Sequence, residues 1–204
     1  MLENNKQKYN FDLSDFNKSY SDTVLDKVRE ETEKLGFEMC SDQTMGALLR
    51  FLVSTKPGGN FLELGTGTGA ATSWILDGMD ENSKLITIDS DKFCIEAAKR
   101  ALPNTSSIEF VNDDALEFLK AQSAKSFDLI FADAEPGKYF YLNETLELLK
   151  PGGMFIVDDM LPQSDWPEDH FPYAMQALSN LKSVTTTHTV SLDCSTGLIM
   201  MSPK

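Results

Sequence analysis

The chain has 204 residues, 41% of them hydrophobic, and 32 acidic against 18 basic side chains give a formal net charge of -14. That length is one ordinary domain, able to bury a core without disulfides or metal. So acidic a chain repels phosphate backbones and anionic lipid, which argues against nucleic-acid and membrane partners.

The first residues, MLENNKQKYNFDLSDF, are polar and lack the apolar stretch of a secretion signal. No apolar run approaches the roughly 20 residues of a membrane helix. Cys40, Cys94 and Cys194 are widely spaced, with no C-x-x-C, and His170 and His188 are the only histidines. These features predict three partly buried free thiols, no Cys/His zinc site and a cytoplasmic location.

From Ser21 a helical pattern begins at Val24, Leu25, Val28, Thr32 and Leu35, with Ser21 or Asp22 as cap and Gly36 as stop. A second helix follows the cap residues Ser41 and Asp42, carries Met45, Leu48, Leu49 and Leu52, and closes at Pro57-Gly58-Gly59. Short apolar runs then alternate with helical stretches. Strands are predicted at Phe61–Leu64, Leu85–Ile88, Ser107–Val111, Phe127–Ala132 and Met154–Val157. Helices are predicted near Ala70–Met79, Lys92–Leu102, Ala115–Gln122, Phe140–Leu149 and Glu168–Leu181. This repeat predicts an α/β, Rossmann-like doubly wound sheet, mostly parallel and seven-stranded, with helices on both faces. Val184–Leu192 and Leu198–Met201 have no helix between them, so Ser195-Thr196-Gly197 should turn a C-terminal antiparallel hairpin. The organisation expected is a helical extension over residues 1–40 and one domain over residues 41–204.

The first strand runs Phe61-Leu62-Glu63-Leu64 into Gly65-Thr66-Gly67-Thr68-Gly69 and straight into a helix. Glycine supplies the sharp turn and lets the backbone approach a ligand, and the helix start adds free N–H groups. Gly65, Gly67 and Ala70 satisfy the dinucleotide pattern G-x-G-x-x-A, while Glu63, Gly65, Gly67 and Gly69 satisfy E-x-G-x-G-x-G. Asp89 ends the second strand, placed to accept from two ribose hydroxyls, which both NAD and S-adenosylmethionine offer.

Taken together, four segments resemble the class I S-adenosylmethionine-dependent methyltransferases, in particular the catechol O-methyltransferase-like and bacterial O-methyltransferase group. They are Leu62–Gly69, Ile88-Asp89-Ser90-Asp91, Asn112-Asp113-Asp114-Ala115 and Leu148-Leu149-Lys150-Pro151-Gly152-Gly153. The resemblance runs from about Ser41 to the end of the chain. It implies S-adenosyl-L-methionine as cofactor. Glu63 would then lie near its methionine end, and Gly65, Thr66, Gly67 and Gly69 would wrap methionine and ribose. Asp89 and Ser90 would meet the ribose, with Asp114 and Ala115 at the adenine. Gln43, Met45 and Gly46 sit where the family's preceding helix covers the cofactor, or are ordinary helix residues.

Asp133 follows the fourth strand, and Asp158 and Asp159 follow the fifth. Ligands of open parallel sheets bind at the carboxyl ends of the strands. Clustered carboxylates repel unless protonated or bridged, and hard divalent cations prefer oxygen ligands. In the resembling family these positions hold an Asp and an Asp-Asn pair that bind a divalent metal such as Mg²⁺. The metal grips the acceptor and acidifies its hydroxyl. Asp133 would also touch the cofactor. Two departures stand out. Asp159 occupies the family's Asn position, and Pro136 occupies the family's catalytic lysine position in Asp133-Ala134-Glu135-Pro136-Gly137-Lys138-Tyr139. Lys138 lies two residues later, and with Asp133 it is the candidate catalytic pair.

The reaction expected is O-methylation of a small-molecule hydroxyl with metal assistance. A metal-independent methyltransferase, an NAD-dependent oxidoreductase and a non-catalytic cofactor-binding module are the alternatives. The loop from Met160 to His170 carries Trp166 and should shape an acceptor pocket. Before Ser41 the helical segment could pack on the sheet, cover the acceptor site or support a homodimer.

Overall fold

The computed structural model describes residues 14–18, 22–163 and 166–204. Of the two cap candidates, Ser21 lies outside what is described and Asp22 is the first residue of the helix; the loop residues Ser164 and Asp165 also lie outside it. So does most of the leading segment, of which Ser14–Asn17 forms a short 3-10 turn.

Seven strands form one sheet in the order β3-β2-β1-β4-β5-β7-β6. They are β1 (Asn60–Leu64), β2 (Lys84–Asp89), β3 (Ile108–Asn112), β4 (Phe127–Ala132), β5 (Leu149–Val157), β6 (Thr187–Leu192) and β7 (Leu198–Pro203). The first five pair in parallel, and β7 runs antiparallel between β5 and β6. The helices are α1 (Asp22–Leu35), α2 (Gln43–Ser54), α3 (Ala70–Gly78), α4 (Lys92–Ala101), α5 (Ala115–Ala121), α6 (Leu142–Glu147) and α7 (His170–Ser183). No helix among the described residues is long and apolar enough to cross a membrane.

Side-chain alternation along the strands divides the core. Leu62 and Leu64 of β1, Ile130 and Ala132 of β4, and Phe155 and Val157 of β5 pack toward α5, α6 and α7. Phe61, Leu129, Phe131 and Ile156 face the other way, onto Met45, Leu49 and Val53 of α2 and Ala71 and Ile75 of α3. Each such buried side chain contributes about 1.5–3 kcal/mol. α1 packs through Val28 on Ala98, Ala101 and Leu102 of the α4 segment. Asp42 caps α2 as expected, its Oδ1 accepting from the Thr44 and Met45 N–H groups at 2.8 and 2.9 Å.

Three boundaries differ most from the sequence reading. β5 begins at Leu149 rather than Met154, because Phe127 pairs with Leu149 through a register shift that absorbs Lys150-Pro151-Gly152-Gly153 into the sheet edge. The helix expected over Phe140–Leu149 shrinks to α6, since Tyr141 sits in the left-handed region (φ 61) and Phe140 bridges Pro136. β6 starts at Thr187, three residues later than expected, because α7 runs on to Ser183.

Candidate functional site

The carboxyl ends of β1, β2, β4 and β5 open on a cleft of about 720 Å³. Gly65 and Gly67 form part of its wall, with Asp89 and Ser90 from the end of β2, Asp114 and Ala115 at the start of α5, and Asp133, Asp158 and Asp159 beyond β4 and β5.

The glycine loop is shaped by contacts that exclude side chains. Gly65 has φ +100, and a Cβ there would stand 2.7 Å from the Asp133 carbonyl oxygen. The loop and the acid after β4 can therefore approach as closely as they do only through glycine. Its N–H donates to the Ile88 carbonyl at 2.9 Å, tying the loop to β2. Gly69 does not reach the cleft wall. It starts α3 at φ +95, where a Cβ would meet Leu102 at 2.8 Å.

Asp89 holds this loop in place. One carboxylate oxygen accepts from the Gly67 N–H at 2.8 Å, the other from the Asp91 N–H at 2.8 Å. A carboxylate offers about four lone-pair sites, so two stay open toward the cleft. Asn112 donates to the Asp89 and Ser90 carbonyls at 2.9 and 3.1 Å, fixing the backbone beyond β2. Asp114 caps α5, accepting from the Leu116 N–H at 2.7 Å.

Glu63 is fully buried and lies under the loop rather than on the wall. Its Oε2 accepts from the hydroxyls of Thr72 (2.6 Å) and Thr87 (2.5 Å), and Thr66 bonds Thr87 in turn at 2.6 Å. Its Oε1 is buried without a partner. Burial pushes this carboxyl up to about 7 despite the two hydroxyl donors.

Asp133, Asp158 and Asp159 converge as the sheet order predicts, each offering an oxygen within 4.8 Å of the others. Burial, then repulsion from Asp158 and Asp159, holds the Asp133 carboxyl well above the usual carboxylate range. Burial lifts Asp158 to about 6, against the pull of hydrogen bonds from Thr196 Oγ1 and the Asp159 N–H. Asp159 occupies the left-handed region at φ 58, and beyond it the Met160 and Leu161 N–H groups donate to the Gly197 and Thr196 carbonyls at 2.9 Å each. An all-oxygen set of mutually repelling carboxylates fits a hard divalent cation.

Lys138 reaches this cluster from below. A kink at Pro136 and Gly137 (φ 86) buries its side chain, and Nζ donates to the Asp158 carbonyl at 2.9 Å and stands 3.9 Å from Asp159 Oδ2. It is not part of the cleft wall. Beside it, Tyr139 Oη bonds His170 Nε2 at 2.9 Å, and the Trp166 ring lies 4.5 Å from the imidazole.

Sequence reasoning missed several participants. Phe37, Glu38, Met39, Cys40 and Ser41, between α1 and α2, line the cleft. Ser41 Oγ donates to Asp133 Oδ2 at 3.3 Å. Met45 and Gly46 do not line it: Met45 is wholly buried, and a Cβ at Gly46 would strike the Trp74 indole at 2.3 Å. The thiols are free, but Cys40 is exposed and Cys94 buried rather than uniformly half-buried. The segment 37–41 has no periodicity to betray it, and Thr196 lies 38 residues from its acid partner.

Comparison with known proteins agrees with this geometry. The family model described as O-methyltransferase matches residues 16–190. A curated relative from Mycobacterium avium (strain 104), provisionally named an O-methyltransferase, is 33% identical over 141 residues, 67% of this chain and 63% of that protein. The chain thus aligns with less than two thirds of that relative's length. Among solved structures, the Bacillus cereus O-methyltransferase in complex with SAH has a TM-score of 0.76 at 21% identity, covering 90% of this chain and 91% of that one. TomG from Streptomyces achromogenes, an O-methyltransferase in complex with SAM, gives 0.76 at 21% identity, with 89% of each chain covered. Match length and fold lead to one conclusion: the chain belongs to the O-methyltransferase family.

Proposed function

We propose that the protein transfers a methyl group from S-adenosylmethionine to a hydroxyl of a small molecule, with a divalent cation held by Asp133, Asp158 and Asp159. The observation that carries this reading is the placement of those three oxygens, within 4.8 Å of one another, in the same cleft as the glycine loop. When bound, S-adenosylmethionine supplies an electrophilic methyl on sulfur, and the cation supplies Lewis acidity to the acceptor oxygen.

The chain's own residues supply positioning. Gly65 and Gly67 bring the loop backbone to the cofactor, and the free lone pairs of Asp89 accept from the ribose hydroxyls. Ser90 borders the ribose, and Asp114 and Ala115 the adenine. Glu63, Thr66 and Gly69 support the loop from behind. Lys138 serves as a positioning residue: its ammonium balances the acids from beneath and fixes the Asp158 carbonyl. The transfer itself needs an oriented, deprotonated oxygen more than covalent assistance.

Calorimetric titration with S-adenosylhomocysteine, then with Mn²⁺, tests both halves. Saturable binding of each is expected, with Mn²⁺ binding lost in Asp158→Asn. Cofactor binding without any Mn²⁺ binding would favour the metal-independent alternative, and binding of NAD alone would overturn the reading.

A further inference from the structure

We propose that the acceptor end of the cleft selects by charge, taking hydroxyl-bearing acceptors without anionic groups, ammonium-bearing ones best, and rejecting those that carry carboxylate, phosphate or coenzyme A. This rests on the methyl-transfer reading above and names its substrate class.

Eight carboxylates line the cleft, and among the described residues of its wall there is no lysine, arginine or histidine. Three of the eight form the cation site, and Asp89, Asp91 and Asp114 belong to the cofactor end. Glu38 and Glu135 are left over; both side chains are exposed and neither has a basic partner among the described contacts. A bound divalent ion, the positive cofactor and Lys138 below the floor offset only part of this charge. An anionic acceptor would therefore enter a negative field in a recess that focuses it. An ammonium group would be drawn in, and the Trp166 ring on the same wall offers it a face. That ring meets the His170 imidazole at a tilt of 58°, with centroids 4.5 Å apart, and His170 is itself bonded to Tyr139. The wall is thus a fixed feature rather than a chance exposure.

The experiment compares three catechols that share one ring: 4-(2-aminoethyl)catechol, 4-ethylcatechol and 3-(3,4-dihydroxyphenyl)propanoate. Binding to the protein with S-adenosylhomocysteine and Mg²⁺, and kcat/KM with S-adenosylmethionine, are measured at low and high salt. The amine should exceed the carboxylate by about tenfold or more at low salt, with the difference shrinking at high salt. The Glu38→Gln, Glu135→Gln double variant should narrow it. Equal or better use of the carboxylate overturns the proposal.

A second readout separates this inference from the reading beneath it. Of the two tryptophans Trp74 is buried, so collisional quenching reports on Trp166. Caesium should quench it several-fold better relative to iodide than it quenches free N-acetyltryptophanamide. If no catechol binds but this bias is present, the small-molecule hydroxyl reading fails for this ring class and the exclusion of anions stands. If the bias is absent, charge selection is overturned whatever the acceptors do.

Discussion

The Lys138 ammonium donates to the main-chain carbonyl of Asp158 across 2.9 Å, from two residues beyond Pro136, the position at which the resemblance implies a lysine. The kink at Pro136 and Gly137 makes this reach achievable, and it seats the charge under the acids instead of in the cleft.

Replacing Lys138 with Met should therefore strip the cluster of its counter-charge and leave a buried carbonyl unpartnered. A loss of roughly 2–4 kcal/mol in denaturant unfolding is expected. Mn²⁺ affinity should change as well, while the pH dependence of any residual turnover keeps its shape. A lysine acting as the base would instead remove the basic limb of that profile.

Glu63 predicts how stability varies with pH. Its folded value of about 7 lies above the ordinary 4.5, so the folded state holds a proton that the unfolded chain releases. That contribution is complete below pH 4.5 and is lost as pH rises through 7, amounting to about 3 kcal/mol. Urea titrations of Glu63→Gln should show a flatter stability curve over this window than the parent. Parallel curves would mean that the carboxyl is ionised throughout.

Gly65→Ala places a methyl group against the Asp133 carbonyl at a φ that alanine resists. A stability loss of roughly 2–4 kcal/mol is expected. S-adenosylhomocysteine affinity should fall at least tenfold by calorimetry, because the loop must retreat from the acid.

Thr196→Val removes the hydroxyl that donates to Asp158. Without this donor the carboxyl should rise further above its present value of about 6. Mn²⁺ binding at pH 6 should then weaken several-fold while binding at pH 8 changes less, a contrast readable in two titrations.

The short apolar runs of β1, β2 and β4 made the sheet legible, because parallel strands covered on both faces are apolar on both. The three acids at strand ends were legible for the same reason: the sheet order dictates that β4 and β5 are neighbours. The path of Lys138 was not, since it depends on how Gly137 turns at φ 86. Nor was the cleft role of residues 37–41, which follow no period and gain their place from the packing of α1 on α4. The early start of β5 was hidden because Pro151-Gly152-Gly153 reads as a turn, whereas it lies in a register shift between the Phe127–Leu149 and Leu129–Met154 pairs, within the strand.

The hydroxyl of Thr196 ties the turn between β6 and β7 to an acid at the end of β5. An edge hairpin is usually where a sheet tolerates insertion and drift, and here that tolerance ends at one side chain. Lengthening the turn would change the acidity of a site it does not flank in sequence. The antiparallel edge and the cleft are therefore tied together: a lineage that remodels the hairpin has to find Asp158 another donor or leave that carboxyl without its hydroxyl partner.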